Sequence, residues 1–221
     1  MILDPSTASQ LVDAVAAAVV VLGIGIASTR SLGRMIWVTA AQSALVGAAA
    51  LVVAAATGAA HLAVGGVLAI GVKGVVVPLV LGSILRRSSV RQERRPVVAP
   101  RVTFVLAVVI VFVATAATHD VRLPVALDAA RALPAAISTL LTGLLIVMTR
   151  RKTLSLVVGL LVFENGIALA AFSLVYAMPI VVELGVLFDL LIAVVVAWVY
   201  SRRMLDVLGT LSTDELRNLR G

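Results

Sequence analysis

The sequence predicts an all-α, polytopic membrane protein with about seven transmembrane helices. Of its 221 residues, 62% are hydrophobic and only 13% are charged, whereas about a quarter of the residues in soluble domains are charged. The mean hydropathy is +1.16. Apolar runs of about 20 residues, enough to cross a bilayer as a helix, follow one another along the chain, and basic residues are concentrated in alternate loops, as in multi-pass proteins.

Seven apolar runs qualify as transmembrane spans. The first begins near the N-terminus, but it lacks a basic flank and carries Asp4 and Asp13, so we predict a retained span and not a signal peptide. The fourth and fifth runs are short, and residues 119–133 between them are expected to include some interfacial helix. In chain order the predicted spans are 8–28, 35–57, 62–85, 102–118, 134–149, 153–177 and 179–200.

The basic residues predict the orientation of these spans. The loops after spans one, three and five and the C-terminal tail hold nearly all the arginines, while the alternate loops hold only Arg122 and Arg131. Loops rich in Lys and Arg remain in the cytoplasm. We therefore expect the N-terminus outside, the C-terminus in the cytoplasm and an odd number of spans.

Besides Asp13 in the first run, four ionisable side chains interrupt the apolar runs, namely Lys73, Glu164, Glu183 and Asp189. A charge at the bilayer centre costs about 2.5–3.5 kcal/mol on insertion scales, so such residues usually face protein, water or each other. Counting 1.5 Å per residue from the outer span ends places Lys73, Asp189 and Glu164 at depths of about 18, 16 and 21 Å, and Glu183 at about 7 Å. We expect the first three to meet in the middle of the membrane.

Two explanations fit these buried charges. Such groups suit a proton or Na+ path if they gain and lose protons, lie within reach of bridging water and are shielded from lipid. Alternatively, they are buried pairs that hold helices or subunits together.

Other residues in the spans also bear on these explanations. The position of Pro78 predicts a kinked or loosened helix just beyond Lys73. A wet path or interhelical hydrogen bonds would equally explain the polar residues Gln42, Ser43, Thr139, Thr142 and Asn165.

The sequence contains no pattern typical of catalysis. It has no cysteine, and its two histidines, His61 and His119, fall at predicted span ends, so neither a metal site nor a cofactor is expected. No glycine-rich phosphate loop and no nucleophile with a partnering base is visible. The net charge of +7 lies in short loops and not on a basic domain, which argues against nucleic acid as a partner.

The last three spans resemble a known family. The segment LLTGLLIVMTRRKTLSLVVGLLVFENGIALAAF (residues 140–172), the acid Asp189 and the closing LRNLRG are similar to the K subunit of respiratory complex I and to the C subunit of Mrp-type antiporters. Those proteins lack the four preceding spans. The longer chain, with GLLVFENGI and VVELGVLFDLL, resembles component E of hydrogenase-4, a membrane-arm subunit of group 4 nickel-iron hydrogenases and formate hydrogenlyase-like complexes.

Together with this resemblance, the spans divide the chain into three regions. Residues 1–130 are predicted to form an N-terminal four-helix membrane extension, 131–203 a three-helix module like the complex I K subunit, and 204–221 a cytoplasmic amphipathic docking tail that contains the capping box Ser212 and Glu215. The glutamate of the complex I family aligns with Leu161 here. Glu164 stands one helical turn later and can project from nearly the same face.

The resemblance implies a multi-pass protein of a bacterial or archaeal inner membrane that holds no redox centre. It would be a subunit of a complex I-like oxidoreductase, in contact with antiporter-like subunits, the subunit that anchors the hydrophilic arm, and lipid. Lys73, Glu164 and Asp189 would then belong to a row of ionisable groups that moves protons or Na+, with Glu183 as an outer branch. The alternatives are a purely structural assembly subunit, a subunit of an Mrp-type cation/proton antiporter, or a free-standing transporter.

Overall fold

The computed structural model describes residues 4–87, 97–121 and 132–173, and the elements within these ranges are helices. They are α1 (Pro5–Ser28), α2 (Leu32–Thr57), α3 (Ala60–Leu68), a π-helix (Ala69–Val76), α4 (Val77–Arg87), α5 (Pro100–Thr118), α6 (Ala132–Thr149) and α7 (Thr153–Ser173). The predicted span 179–200, Glu183, Asp189, the tail 204–221 and most of the segment 119–133 lie outside the described residues.

Six apolar helices in the described part of the chain are long enough to cross a membrane, with α3, the π-helix and α4 forming one continuous span over Ala60–Arg86. Each begins within three residues of its predicted start. Several begin early because a capping residue precedes the apolar run: the Ser31 side chain accepts a hydrogen bond from the Arg34 backbone N–H, and Pro5 and Pro100 occupy first turns. Six of the seven spans are thus helices, while the seventh and the orientation remain predictions.

The α6 and α7 backbones approach each other closely at three glycines. A Cβ on Gly159 would lie only 2.9 Å from side-chain atoms of Ile146 and Val147, and one on Gly143 would meet the Phe163 backbone. A Cβ on Gly166 would likewise meet the Leu140 backbone. Because small residues allow membrane helices to pack backbone to backbone, α7 is held tightly against α6.

Helix α2 lies at the centre of the described bundle, since it packs against α1, α3, the π-helix, α4 and α7. Burial differs sharply among the spans: 67% of the α7 span is buried, against 22% of the span Ala60–Arg86. The α5 span is equally exposed, and its Phe112 side chain is 75% exposed. The polar residues described below therefore lie between a well-packed helix and a sparsely packed one.

Candidate functional site in a buried polar layer

Five buried polar side chains form a layer in the middle of the bundle. The polar layer consists of Gln42, Ser43, Lys73, Glu164 and Asn165, and no whole residue among them is more than 8% exposed. Helix α2 supplies the first two, the π-helix supplies Lys73, and α7 supplies the last two. Lys73 is the midpoint of its span Ala60–Arg86.

The charged members of the polar layer form an ion pair. The Lys73 Nζ atom lies 2.5 Å from the Glu164 Oε1 atom, and the two side chains are 9% and 1% exposed. The partners are 91 residues apart in the chain, so this contact ties the third span to α7. Each charge thereby gains a partner that compensates for part of the cost of leaving water.

Lys73 lies within a π-helix. The Val77 backbone N–H donates to the Val72 carbonyl, five residues back, which is the π-helical pattern. Pro78 follows at once and has no N–H to donate to the Lys73 carbonyl in the same pattern. The expected loosening near Pro78 is confirmed, but its place is corrected: the loosened segment begins four residues before Lys73 and includes it. Short π segments are frequent at functional sites.

The neutral members of the polar layer bond to one another across helices. The Asn165 Nδ2 atom donates to Gln42 Oε1 at 3.1 Å and to Ser43 Oγ at 3.0 Å, and Ser43 Oγ donates to Asn165 Oδ1 at 3.2 Å. Gln42 Nε2 donates to the Val19 carbonyl of α1 at 2.9 Å. Of the two explanations for these three residues, interhelical hydrogen bonds are the one the structure confirms.

The basic loops meet at one end of the bundle. The Arg150 guanidinium, at the end of α6, donates through Nη2 to the Ala27 carbonyl in the last turn of α1, and Arg150 is only 4% exposed. Next to it, the Val97 backbone N–H donates to the Thr149 carbonyl at 3.0 Å. A cation at a helix C-terminus is favourable because it faces the negative end of the helix dipole. We refer to this face as the basic end.

The structure brings together two of the four predicted site residues, Lys73 and Glu164; Glu183 and Asp189 lie outside the described residues. The sequence analysis did not single out Thr39, which is 2% exposed and lies one helical turn before Ser43 on the same face of α2. The four-residue spacing between Thr39 and Ser43 is the sequence pattern that could have identified Thr39. Within the described ranges, no three His, Cys, Asp or Glu residues cluster closely enough to hold a metal ion.

Comparison with known proteins places the chain in a family. Over 149 residues the chain is 30% identical to hydrogenase-4 component E of Escherichia coli, and the match covers 67% of this chain and 69% of the relative. The chain belongs to the hydrogenase-4 component E family. Hydrogenase-4 component E of Shigella flexneri matches to the same extent. These matches confirm the resemblance to component E; the similarity to the complex I K subunit and the Mrp C subunit remains a prediction.

The likeness to known proteins also extends over nearly the full chain. An uncharacterised protein of Mycobacterium tuberculosis is 29% identical over 213 residues, which are 96% of this chain and 97% of that protein. No family model matches the chain, and no solved structure matches it. Membership of the hydrogenase-4 component E family therefore rests on the curated relatives.

Proposed function

We propose that this chain is a non-redox integral membrane subunit of a hydrogenase-4-type complex, and that the pair Lys73 and Glu164 lies on a path for protons, or for Na+, coupled to electron transfer. Three observations support the proposal. The chain belongs to the hydrogenase-4 component E family, six described helices can cross a membrane, and an acid and a base meet midway through their spans. The last observation carries it.

The chemistry of the pair suits this role. One proton can pass between the Lys73 ammonium and the Glu164 carboxylate and leave an amine and a carboxylic acid, with no change in net charge. A further proton arriving at the pair changes that charge by one, and in a low-dielectric interior a unit charge interacts strongly with its surroundings. A charge displaced elsewhere in the complex can therefore favour loading or release here. Asp189 and Glu183 would continue the path.

A structural role is the second candidate, and the neutral part of the polar layer favours it. Gln42, Ser43 and Asn165 tie α1, α2 and α7 together with interhelical hydrogen bonds. Lys73 and Glu164 add the third span to the same assembly. On this view the pair holds helices in place, and the ion path runs through other subunits.

The substitution Glu164→Gln separates the two candidates in the assembled complex. Glutamine keeps the size and a hydrogen-bond acceptor for Lys73 but cannot carry the negative charge. For an ion path, we expect a normal amount of complex in the membrane, with proton uptake per hydrogen turned over reduced at least tenfold in inverted vesicles. A pH-sensitive dye and a hydrogen electrode supply the two measurements.

The matched control is Asn165→Asp, which changes the charge of the adjacent residue on the same helix. An ion path through Glu164 predicts that this variant, where it assembles, retains more coupling than Glu164→Gln. Unchanged proton uptake in assembled Glu164→Gln complex would contradict the proposed path and favour the structural role. Copurification followed by peptide identification tests membership of the complex: absence of hydrogenase subunits would contradict it.

A further inference from the structure

A narrow crevice lies beside Lys73, on the side of the polar layer that faces the basic end. It lies between α2, the third span and α7. Lys73 is among its lining residues, together with Ile36, Thr39, Leu81, Val158 and Leu161. On each helix the other five lie nearer to the basic end than the members of the polar layer do. The crevice is therefore directed from the ion pair towards one side of the membrane.

The end of the crevice farthest from Lys73 lies near the basic residues at the helix ends. At 1.5 Å per residue, Ile36 lies about 3 Å along its helix from Arg34, and Leu81 about 8 Å from Arg86. Lys73 itself lies about 20 Å from Arg86 on the same count. Ile36, Leu81 and Val158 are each at most 2% exposed. These three apolar side chains separate Lys73 from the basic end, and the walls stand too close together to admit water in this state.

Thr39 is the polar wall residue of the crevice besides Lys73, and its hydroxyl, like that of Thr139, is buried without a partner in the described part of the chain. Other helical threonines in the described ranges, such as Thr57 and Thr149, donate to the carbonyl four residues back at 2.8 and 2.7 Å. The Thr39 hydroxyl makes no hydrogen bond in the described part of the chain, although the residue is only 2% exposed. Buried polar groups of this kind are uncommon and call for a specific reason.

We propose that the crevice is the route by which Lys73 exchanges protons with water at the basic end, and that the Thr39 hydroxyl positions that water. This inference rests on the proposed ion path and adds its point of access. In each exchange an N–H bond of Nζ breaks, the electron pair stays on nitrogen, and an O–H bond forms on the water; loading reverses these steps. Thr39 can both donate to and accept from such a water, which explains an unused hydroxyl at this position.

The first test compares two threonines in the assembled complex. Thr39 and Thr139 are 2% and 1% exposed, and both hydroxyls lack a partner in the described part of the chain, but Thr139 does not line the crevice. Since replacing an unpaired hydroxyl by a methyl group removes no hydrogen bond, stability alone predicts similar behaviour for Thr39→Val and Thr139→Val. We expect Thr39→Val to lower proton uptake per hydrogen turned over at least fivefold, Thr139→Val to change it less than twofold, and Thr39→Ser to retain it.

The second test measures access without relying on coupling. The chain has no cysteine, so a single introduced thiol can be followed on this subunit after denaturation and maleimide labelling. Silver ion, a small thiol-reactive cation, is applied from the basic side during turnover. We expect Thr39→Cys to react at least ten times faster than Val53→Cys, which is equally buried on the same helix but lies beyond the polar layer.

The outcomes distinguish this inference from the proposed function. If Glu164→Gln uncouples the complex while Thr39→Val and Thr139→Val behave alike, or while Thr39→Cys reacts no faster than Val53→Cys, the crevice route is wrong and the ion path stands. If Glu164→Gln keeps full coupling, the ion path itself is wrong. Selective silver access at Thr39 together with a selective loss in Thr39→Val supports the route.

Discussion

Two neighbouring residues of α7, Glu164 and Asn165, face different kinds of partner. Asn165 bonds to Gln42 and Ser43 on α2, whose span is 56% buried. Glu164 pairs with Lys73, in a π-helix whose span is 22% buried. The neutral contacts lie where packing is dense and helix geometry is regular; the charged contact lies where both are relaxed. The neutral half of the polar layer holds the helices together, and under the proposed function the charged half is the one that changes state.

The largest effect is expected from removing one charge of the pair with an apolar residue. Glu164→Leu takes away the carboxylate that faces the Lys73 ammonium, and breaking a buried pair in this way costs about 3–5 kcal/mol. We expect a matching loss of thermal stability of the purified complex in detergent, or loss of assembly. The double variant Lys73→Met with Glu164→Leu should recover most of it, because the uncompensated charge is gone.

The double variant also distinguishes a role in holding the helices together from a role in moving ions. We expect restored assembly without restored proton uptake. Recovery of both would show that the charged half of the polar layer is as purely structural as the neutral half. A single variant that costs less than 1 kcal/mol would show that Glu164 contributes little to holding the helices.

A smaller effect is expected from Asn165→Leu in the neutral half. Interhelical hydrogen bonds in membranes contribute about 0.6 kcal/mol each on average and at most about 1.7 kcal/mol, and Asn165 takes part in three. We therefore expect a loss of about 1–2 kcal/mol in the same thermal measurement, with proton uptake per hydrogen unchanged in the complex that assembles. Uncoupling as severe as that of Glu164→Gln would contradict a purely structural role for the neutral half.

The smallest effect is expected from Gln42→Leu. This side chain donates to the Val19 carbonyl and accepts from Asn165, while Asn165 keeps its two contacts with Ser43. The expected loss of stability is about 1 kcal/mol or less, again with unchanged coupling. A loss larger than that of Asn165→Leu would show that the contact with α1 dominates the neutral half.

Much of this arrangement can be predicted from the sequence, because polar groups within a bilayer pair with one another or face protein or water. Lys73 and Glu164 have similar depths by residue counting, and two charges in hydrocarbon that can reach each other will pair. The span ends are similarly constrained, since apolar length must match the bilayer. These parts needed no knowledge of the tertiary contacts.

Other features depend on contacts that no local pattern reveals. Hydrophobic periodicity does not distinguish the π-helix around Lys73 from an α-helix, because nearly every neighbouring residue is apolar. In the sequence, Arg150 is one of several positive charges in a loop. In the structure it is buried against the Ala27 carbonyl, 123 residues away. The choice of partners by Asn165 likewise depends on how α2 and α7 are rotated about their own axes.

The glycine contacts of α7 have a consequence for the ion pair. Gly143, Gly159 and Gly166 bring the α6 and α7 backbones into contact. Helix α7 therefore has no free space in which to slide or rotate against α6, and the position of the Glu164 carboxylate is restricted. Within the described ranges the third span is less buried than α7, 22% against 67%. If the ion pair opens during the proposed ion transfer, we therefore expect Lys73 to move and Glu164 to keep its position.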